Sequence, residues 1–309
     1  MQISKNIHKK GSLGGNLMLL LTACIWGTGF VAQSVGADYV GPFTFNGLRT
    51  ILGSLVLLPV IFFLDCAKEK AGTRTSKTSW RSKELWIGGL LCGLALLAGS
   101  QLQQIAIQHT TVGKAGFITT LYIVLVPVLG VFLKHHVSKR TWISVAIAVV
   151  GSYFLCITST FTISQGDLLM LLCAIFFSIH ILLIDHYSPK VDSVKMSCIQ
   201  FFVCGTLALI GMVLWETPIW SDIMVAWFPI VYAGIFSCGI AYTLQVVAQK
   251  TTDPTIASLI LCLESVIAVL AGWLLLGETL SLREGLGCIL VFIAIIYTQL
   301  PEKQPKENL

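Results

Sequence analysis

Ten long stretches of this chain consist almost wholly of apolar side chains. No other feature restricts the fold so severely. Roughly 20 apolar residues in a helix cross the hydrocarbon of a bilayer, and inside hydrocarbon only helices or closed barrels pair every backbone amide. The expected fold is therefore an all-α integral membrane bundle. Ten transmembrane helices are predicted, at 17–37, 43–64, 85–107, 112–133, 141–157, 167–187, 194–214, 227–247, 254–276 and 283–299. Charged residues are only 11% of the 309, against about 25% in soluble domains, so little mass is left for a soluble domain.

Helix-start chemistry supports several of these spans. Asp253-Pro254 reads as N-cap and first helical residue, and Gly41-Pro42 precedes the second span. The first run follows a basic N-terminus and ends in SVGA, as a cleaved signal peptide does. It is long for a signal core, contains Trp26 and has a counterpart later in the chain, so a retained span is expected. Nine of the ten cysteines lie in apolar runs and no C-x-x-C pair occurs, which reads as packing rather than metal or disulfide chemistry.

Basic residues set the orientation, because Lys and Arg accumulate on the cytoplasmic side. With a cytoplasmic N-terminus, 17 of the 20 fall in cytoplasmic segments: Lys5, Lys9, Lys10, Lys68, Lys70, Arg74, Lys77, Arg81, Lys83, Lys134, Lys139, Arg140, Lys190, Lys195, Lys250, Lys303 and Lys306. Only Lys114 and Arg283 lie outside, with Arg49 inside a span. The net charge of +5 therefore reports topology and not a nucleic-acid partner. The expected location is the cytoplasmic (inner) membrane, multi-pass, with the N-terminal segment 1–16 and the tail 300–309 both cytoplasmic.

The two halves of the chain resemble each other. GNLMLLLTACIW (15–26) aligns with GDLLMLLCAIFF (166–177) at an offset of 151. The third and eighth spans align at an offset of 141, through Gln104/Gln245, Gln108/Gln249 and the pairs Thr110-Thr111 and Thr251-Thr252. VSKRTW (137–142) corresponds to LSLREG (280–285). Two repeats are expected, 17–157 and 167–299. Five spans in each is an odd number, so the second copy enters the membrane inverted, as in many secondary transporters whose substrate site lies between the halves.

This pattern resembles the EamA-type repeat of the drug/metabolite transporter superfamily, over nearly the whole chain. The strongest matches are LLTACIWGTGFV (20–31), TTVGKAGFITTLYIVLVPVL (110–129) and TTDPTIASLILCLESVIAVLAGWLLLGETLSLREGLG (251–287). Leu263-Glu264 and Gly277-Glu278 resemble the family's LEP helix and following GE turn. Ser265 stands where the family usually has proline, and Lys134-His135 replaces Gly-Glu in the first half. The resemblance implies a ten-helix bundle that exports or exchanges small metabolites, with a central cavity lined by spans 1, 3, 4, 6, 8 and 9.

Polar residues inside the spans are the candidate site. Gln101, Gln104 and Gln108 sit at i, i+3 and i+7 on one helical face, and Tyr242, Gln245 and Gln249 repeat those offsets. Intramembrane polar groups usually face a bundle interior, so both rows are expected to line the cavity; helix-end solvation and interhelical hydrogen bonds are the alternative. Glu264, close to the middle of its span, is open to three roles: proton coupling, binding an amine, or pairing with Arg49. Arg49 itself is expected to snorkel outward or pair with an acid. His180 is a second coupling candidate, and Trp26 and Tyr122 are candidates for stacking on substrate.

The reading is a secondary transporter of a small polar metabolite (an amino acid, amine or similar) working by alternating access as an exporter or exchanger. An integral membrane enzyme or a channel on the same bundle is the alternative. No G-x-x-x-x-G-K-[ST], H-E-x-x-H or G-x-S-x-G motif occurs, and His135-His136 are adjacent in a basic loop rather than on one helical face. The expected partners are the small-molecule substrate, the lipid bilayer and, as a coupling ion, protons. No metal, cofactor or nucleic acid is called for, and the oligomeric state is left open.

Overall fold

A computed structural model describes residues 12–72, 79–110, 112–133, 137–156, 165–277 and 281–300. The expectations on Lys5, Lys9, Lys10, Arg74, Lys77, Thr111, Lys134, His135, His136, Glu278, Lys303 and Lys306 lie outside these residues. Among the described residues the regular elements are all helical. In chain order they are α1 (Leu13–Ala37), α2 (Pro42–Lys70), α3 (Lys83–Ala106, with a 3₁₀ turn at Ile107–His109), α4 (Val112–Thr120) and α5 (Tyr122–Phe132). Next come α6 (Lys139–Cys156), α7 (Gln165–Tyr187), α8 (Ser193–Trp215), the short α9 (Trp220–Val225) and α10 (Trp227–Tyr232). A π-helical segment (Ala233–Tyr242) leads into α11 (Thr243–Ala248), followed by α12 (Pro254–Leu261), α13 (Leu263–Leu276) and α14 (Leu282–Gln299).

Among the described residues, eight helical stretches are long and apolar enough to cross a membrane: 13–37, 42–70, 83–109, 112–132, 165–187, 193–215, 227–248 and 254–276. The shorter helices α6 and α14 pack along one another. The protein is thus a multi-pass membrane bundle. Its main pairings are α2 with α8, α3 with α7 and α8, and α1 with α13 and the π segment.

Helix starts are satisfied by the residues the sequence offers. Ser12 Oγ accepts from Gly15 N at 3.0 Å, and Asp253 accepts from Thr255 N at 2.8 Å with Pro254 following. Gly41 has no side chain with which to cap α2. Glu216, at the end of α8, does so instead, accepting from Phe43 N (2.7 Å), Thr44 N (2.8 Å) and Thr44 Oγ1 (2.6 Å). A carboxylate at a helix N-terminus meets both unpaired amides and the positive end of the dipole. At the other end of the same helix pair, Asp65 of α2 holds Lys195 near the start of α8 at 2.7 Å. Residues 44 and 195, and 65 and 216, each differ by 151, the offset between the first and sixth spans.

A second correspondence involves two glycines, where a Cβ would crowd a neighbouring turn. At Gly15 it would lie 2.9 Å from Thr252 Oγ1, and at Gly166 3.0 Å from His109 Cβ and 3.2 Å from Ala106 O. Each glycine lets the start of one helix seat against the end of another, α1 on the turn after α11 and α7 on the turn after α3.

Two of the spanning stretches are broken. α4 gives way to α5 at Leu121, and α12 to α13 at Cys262. The two positions are separated by the offset that relates the third and eighth spans. At both breaks the backbone tightens to i→i+3 bonds: Val124 N to Leu121 O at 3.0 Å, and Ser265 N to Cys262 O at 3.1 Å. Ser265 Oγ also donates to Cys262 O at 2.8 Å, so a residue other than proline holds this break.

Asp192 joins the polar ends of two helices. Its Oδ1 accepts from Val194 N and Lys195 N at 3.1 and 3.2 Å, capping α8, while Oδ2 meets Lys68 Nζ of α2 at 2.5 Å. Burial would raise its carboxyl pKa, but the bonds from Lys68 and the Lys195 amide, with the charges of both lysines, hold it below its ordinary value. A depressed folded-state pKa gives stability that is present above the unfolded value of about 3.9 and lost as pH falls through the folded one. Asp192→Asn should therefore melt lower than wild type at neutral pH, and the gap should close as pH falls from about 5 to 3, read by thermal unfolding across that range.

Candidate functional site

The cavity at the centre of the bundle lies where the broken helices meet. From α13, Glu264 accepts at Oε1 from the Tyr122 hydroxyl of α5 at 2.9 Å, so a side chain from just beyond each break joins the two. Both are buried, 3% and 2% exposed. Around this bond the walls are Trp26, Phe30 and Gln33 of α1, Arg49 of α2, Gln103 of α3, Thr119 of α4, and Phe177, His180 and Ile181 of α7. Ser237 and Tyr242 of the π segment and Gln245 of α11 complete them. The space has a volume of about 30 Å³. A water needs roughly 10–15 Å³ by this measure, so the centre is contracted and a metabolite requires the helices to part.

The π segment owes its position to α1. Thr22 Oγ1 lies 3.0 Å from Ala241 O and 2.9 Å from Met18 O of its own helix. Trp26 Nε1 donates to Ser237 O at 3.4 Å, and Thr28 Oγ1 meets the Tyr232 hydroxyl at 2.5 Å. One helix thus supplies donors to the segment where i→i+4 bonding has lapsed. The Trp26 ring sits 4.4 Å from that of Tyr242, and His180 lies edge-on to Tyr242 at 5.8 Å. His180 Nε2 is 2.9 Å from Gln200 Oε1 of α8, which fixes the imidazole within the packed core.

The structure brings together Trp26, Tyr122, His180, Tyr242, Gln245 and Glu264. The other four glutamines lie elsewhere. Gln101 accepts from Asn46 Nδ2 at 3.0 Å against α2, and Gln104 donates to Gln33 O at 3.1 Å. Gln249 donates to Ile181 O at 3.2 Å, and Gln108 is exposed. The first stripe fails as a cavity face for two reasons. The 3₁₀ turn from Ile107 takes Gln108 out of phase, and the face shared by 101 and 104 packs on neighbouring helices. The cavity-facing residue of α3 is Gln103, about 100° away around the helix. Gln33 and Arg49 were also missed as wall residues, although a polar or charged group within an apolar run was the available signal.

Arg49 does neither of the things expected of it. It is 3% exposed and does not reach solvent. It forms no ion pair with Glu264, whose hydrogen-bond partner is Tyr122. Its guanidinium lies over the Phe45 ring, 5.5 Å from the centroid, and its Nε has no hydrogen-bond partner.

A helical membrane bundle closing on a small polar centre through two broken helices is the architecture of a membrane transporter. The chain belongs to the EamA-like transporter family, which it matches twice, over residues 13–157 and 164–299. A relative from Archaeoglobus fulgidus, named only as an uncharacterized transporter, is 32% identical over 289 residues, covering 93% of this chain and 86% of its own. The uncharacterized transporter YoaV of Bacillus subtilis is 22% identical, over 90% of this chain and 94% of its own. A crystal structure with 17% identity superposes with a TM-score of 0.73, over 92% of this chain and 96% of the other, and shares the fold. The protein is a transporter of this family.

Two glutamines separate structural from cavity roles. Gln101→Leu strands one N–H of the buried Asn46, offset in part by removing the unpartnered Gln101 Nε2, and should cost about 1 kcal/mol of stability. Gln245 has an Oε1 without a partner, so Gln245→Leu should leave the melting temperature unchanged or higher while lowering transport. Thermal unfolding and proteoliposome counterflow with a panel of amino acids and amines, run on both variants, check the split.

Proposed function

We propose that this protein is a secondary transporter that carries a small polar metabolite, an amino acid, amine or similar molecule, by alternating access, as an exporter or exchanger. The observation that carries this reading is the hydrogen bond between Tyr122 and Glu264, which joins the two equivalent helix breaks over the central cavity. Broken helices at the midplane of repeated halves are where carriers of this kind hold cargo. The aromatic rings of Trp26 and Tyr242 offer stacking surfaces, Gln33, Gln103 and Gln245 offer amides, and Glu264 offers a carboxyl group. Parting of the bundle at the breaks opens the contracted centre to one face, and the mirrored parting opens it to the other.

The same reading takes α6 and α14 as the fifth and tenth spans and the two family matches as inverted copies. The offsets of 141 and 151 shared by the breaks, the helix-end carboxylates and the two glycine seats support it. Both termini then lie in the cytoplasm, and the membrane is the cytoplasmic one. Cysteine labelling that finds either terminus outside would overturn the inverted arrangement.

Glu264 serves in this reading as the coupling group, passing a proton between the two access states, with His180 as a second candidate. Glu264→Gln keeps size and hydrogen bonding but cannot titrate. Coupling predicts that pH-driven uphill transport disappears while substrate exchange survives, since exchange moves no net proton. Cation binding alone predicts that both fall together. Uptake, exchange and thermal stability measured on one purified variant decide, and normal pH-driven transport by a stable Glu264→Gln protein would exclude coupling.

A further inference from the structure

We propose that Arg49 is the anion receptor of the central cavity, so that the cargo carries a carboxylate. This deepens the carrier reading above and rests on it. A guanidinium keeps its charge at any pH a cell meets, and a charge held away from both water and a counter-ion is costly. Arg49 has no counter-ion among the described residues: it is 3% exposed, on the cavity wall, with an unpartnered Nε and the face of Phe45 beneath it. The carboxyl group on the same cavity wall, Glu264, is bound instead to Tyr122. A counter-ion that arrives with the cargo resolves the imbalance.

A carboxylate fits best among anions. The guanidinium presents a planar fork that matches two carboxylate oxygens, and among the described wall residues Arg49 alone carries one. A dianionic phosphate would exceed its charge and would face Glu264 as well. With Arg49 on α2 and the Glu264 carboxyl on α13, cargo can also place an amine against that carboxyl. The carboxylate is required and the amine is optional. A cargo bearing only positive charge would put a second cation beside Arg49.

Three probes of similar size separate these cases in the purified full-length protein: alanine, propionate and alaninamide. Alanine and propionate should raise the melting temperature and support counterflow in liposomes, and alaninamide should do neither. Arg49→Gln should weaken the alanine and propionate responses by about tenfold or more, and Arg49→Lys, which keeps the charge without the fork, should fall between. Without any probe, Arg49→Gln should melt at or above the wild-type temperature, because it removes an uncompensated buried charge. Equal responses to alaninamide and alanine, or undiminished responses in Arg49→Gln, would overturn the anion receptor and leave the carrier reading intact. A probe-free Arg49→Gln protein that melts well below wild type, or does not fold, would assign Arg49 to the structure instead. No response of wild type to any of the three would overturn both the receptor and the substrate class it rests on.

Discussion

An unpaired amide in hydrocarbon costs several kcal/mol, and the architecture of this transporter turns on the few places where its helices accept that risk. Each interruption is answered by a donor from within or across the bundle. At Cys262 the freed carbonyl takes both the amide and the hydroxyl of Ser265. Along the π segment the carbonyls of Ser237 and Ala241 face Trp26 and Thr22 of α1. Where α2 begins without a capping side chain, Glu216 reaches over from α8. The breaks at Leu121 and Cys262 and the π segment adjoin the cavity, because irregular backbone in a membrane is tolerated only where protein or a polar space covers it.

Much of the outline was legible in the sequence, for a plain reason. Burial in lipid imposes a length and a composition on each span, and both can be read without knowing what packs against what. The span read at 43–64 extends to Lys70 because a helix that has left the hydrocarbon no longer needs apolar residues. The repeat was read from its glutamine and threonine pairs, and the family matches the chain over two stretches, 13–157 and 164–299. Helix breaks were harder to see. Neither Leu121 nor Cys262 is a glycine or a proline, and the break depends on bonds formed three positions further on. A π segment leaves no such signature, since AGIFSCGIAY would also make an ordinary helix.

Within the site, the sequence located the chemistry better than the direction in which it points. Glu264, Tyr122, Trp26, His180, Tyr242 and Gln245 converge, and each was conspicuous as a polar or large aromatic group inside an apolar run. The row of Gln101, Gln104 and Gln108 shows what spacing alone cannot supply. Periodicity states which residues share a face, but the rotation of a helix about its own axis is set by its neighbours. α3 is wedged against α7 and α8, and that packing turns Gln103 to the cavity and Gln101 to Asn46. Arg49 was misread through the same gap, because a lone charge was matched with the nearest acid in concept rather than in space.

The bonds from α1 to the π segment end on main-chain oxygens, and every residue has one. Replacing side chains between 233 and 242 would leave those acceptors in place, so substitutions there report on packing at Gly234 and on the cavity at Tyr242, and not on the bonds themselves. The sensitivity would appear instead at Thr22 and Trp26, on a different helix and in the other half of the chain. For these bonds in span eight, the side-chain constraint is written in the sequence of the partner helix.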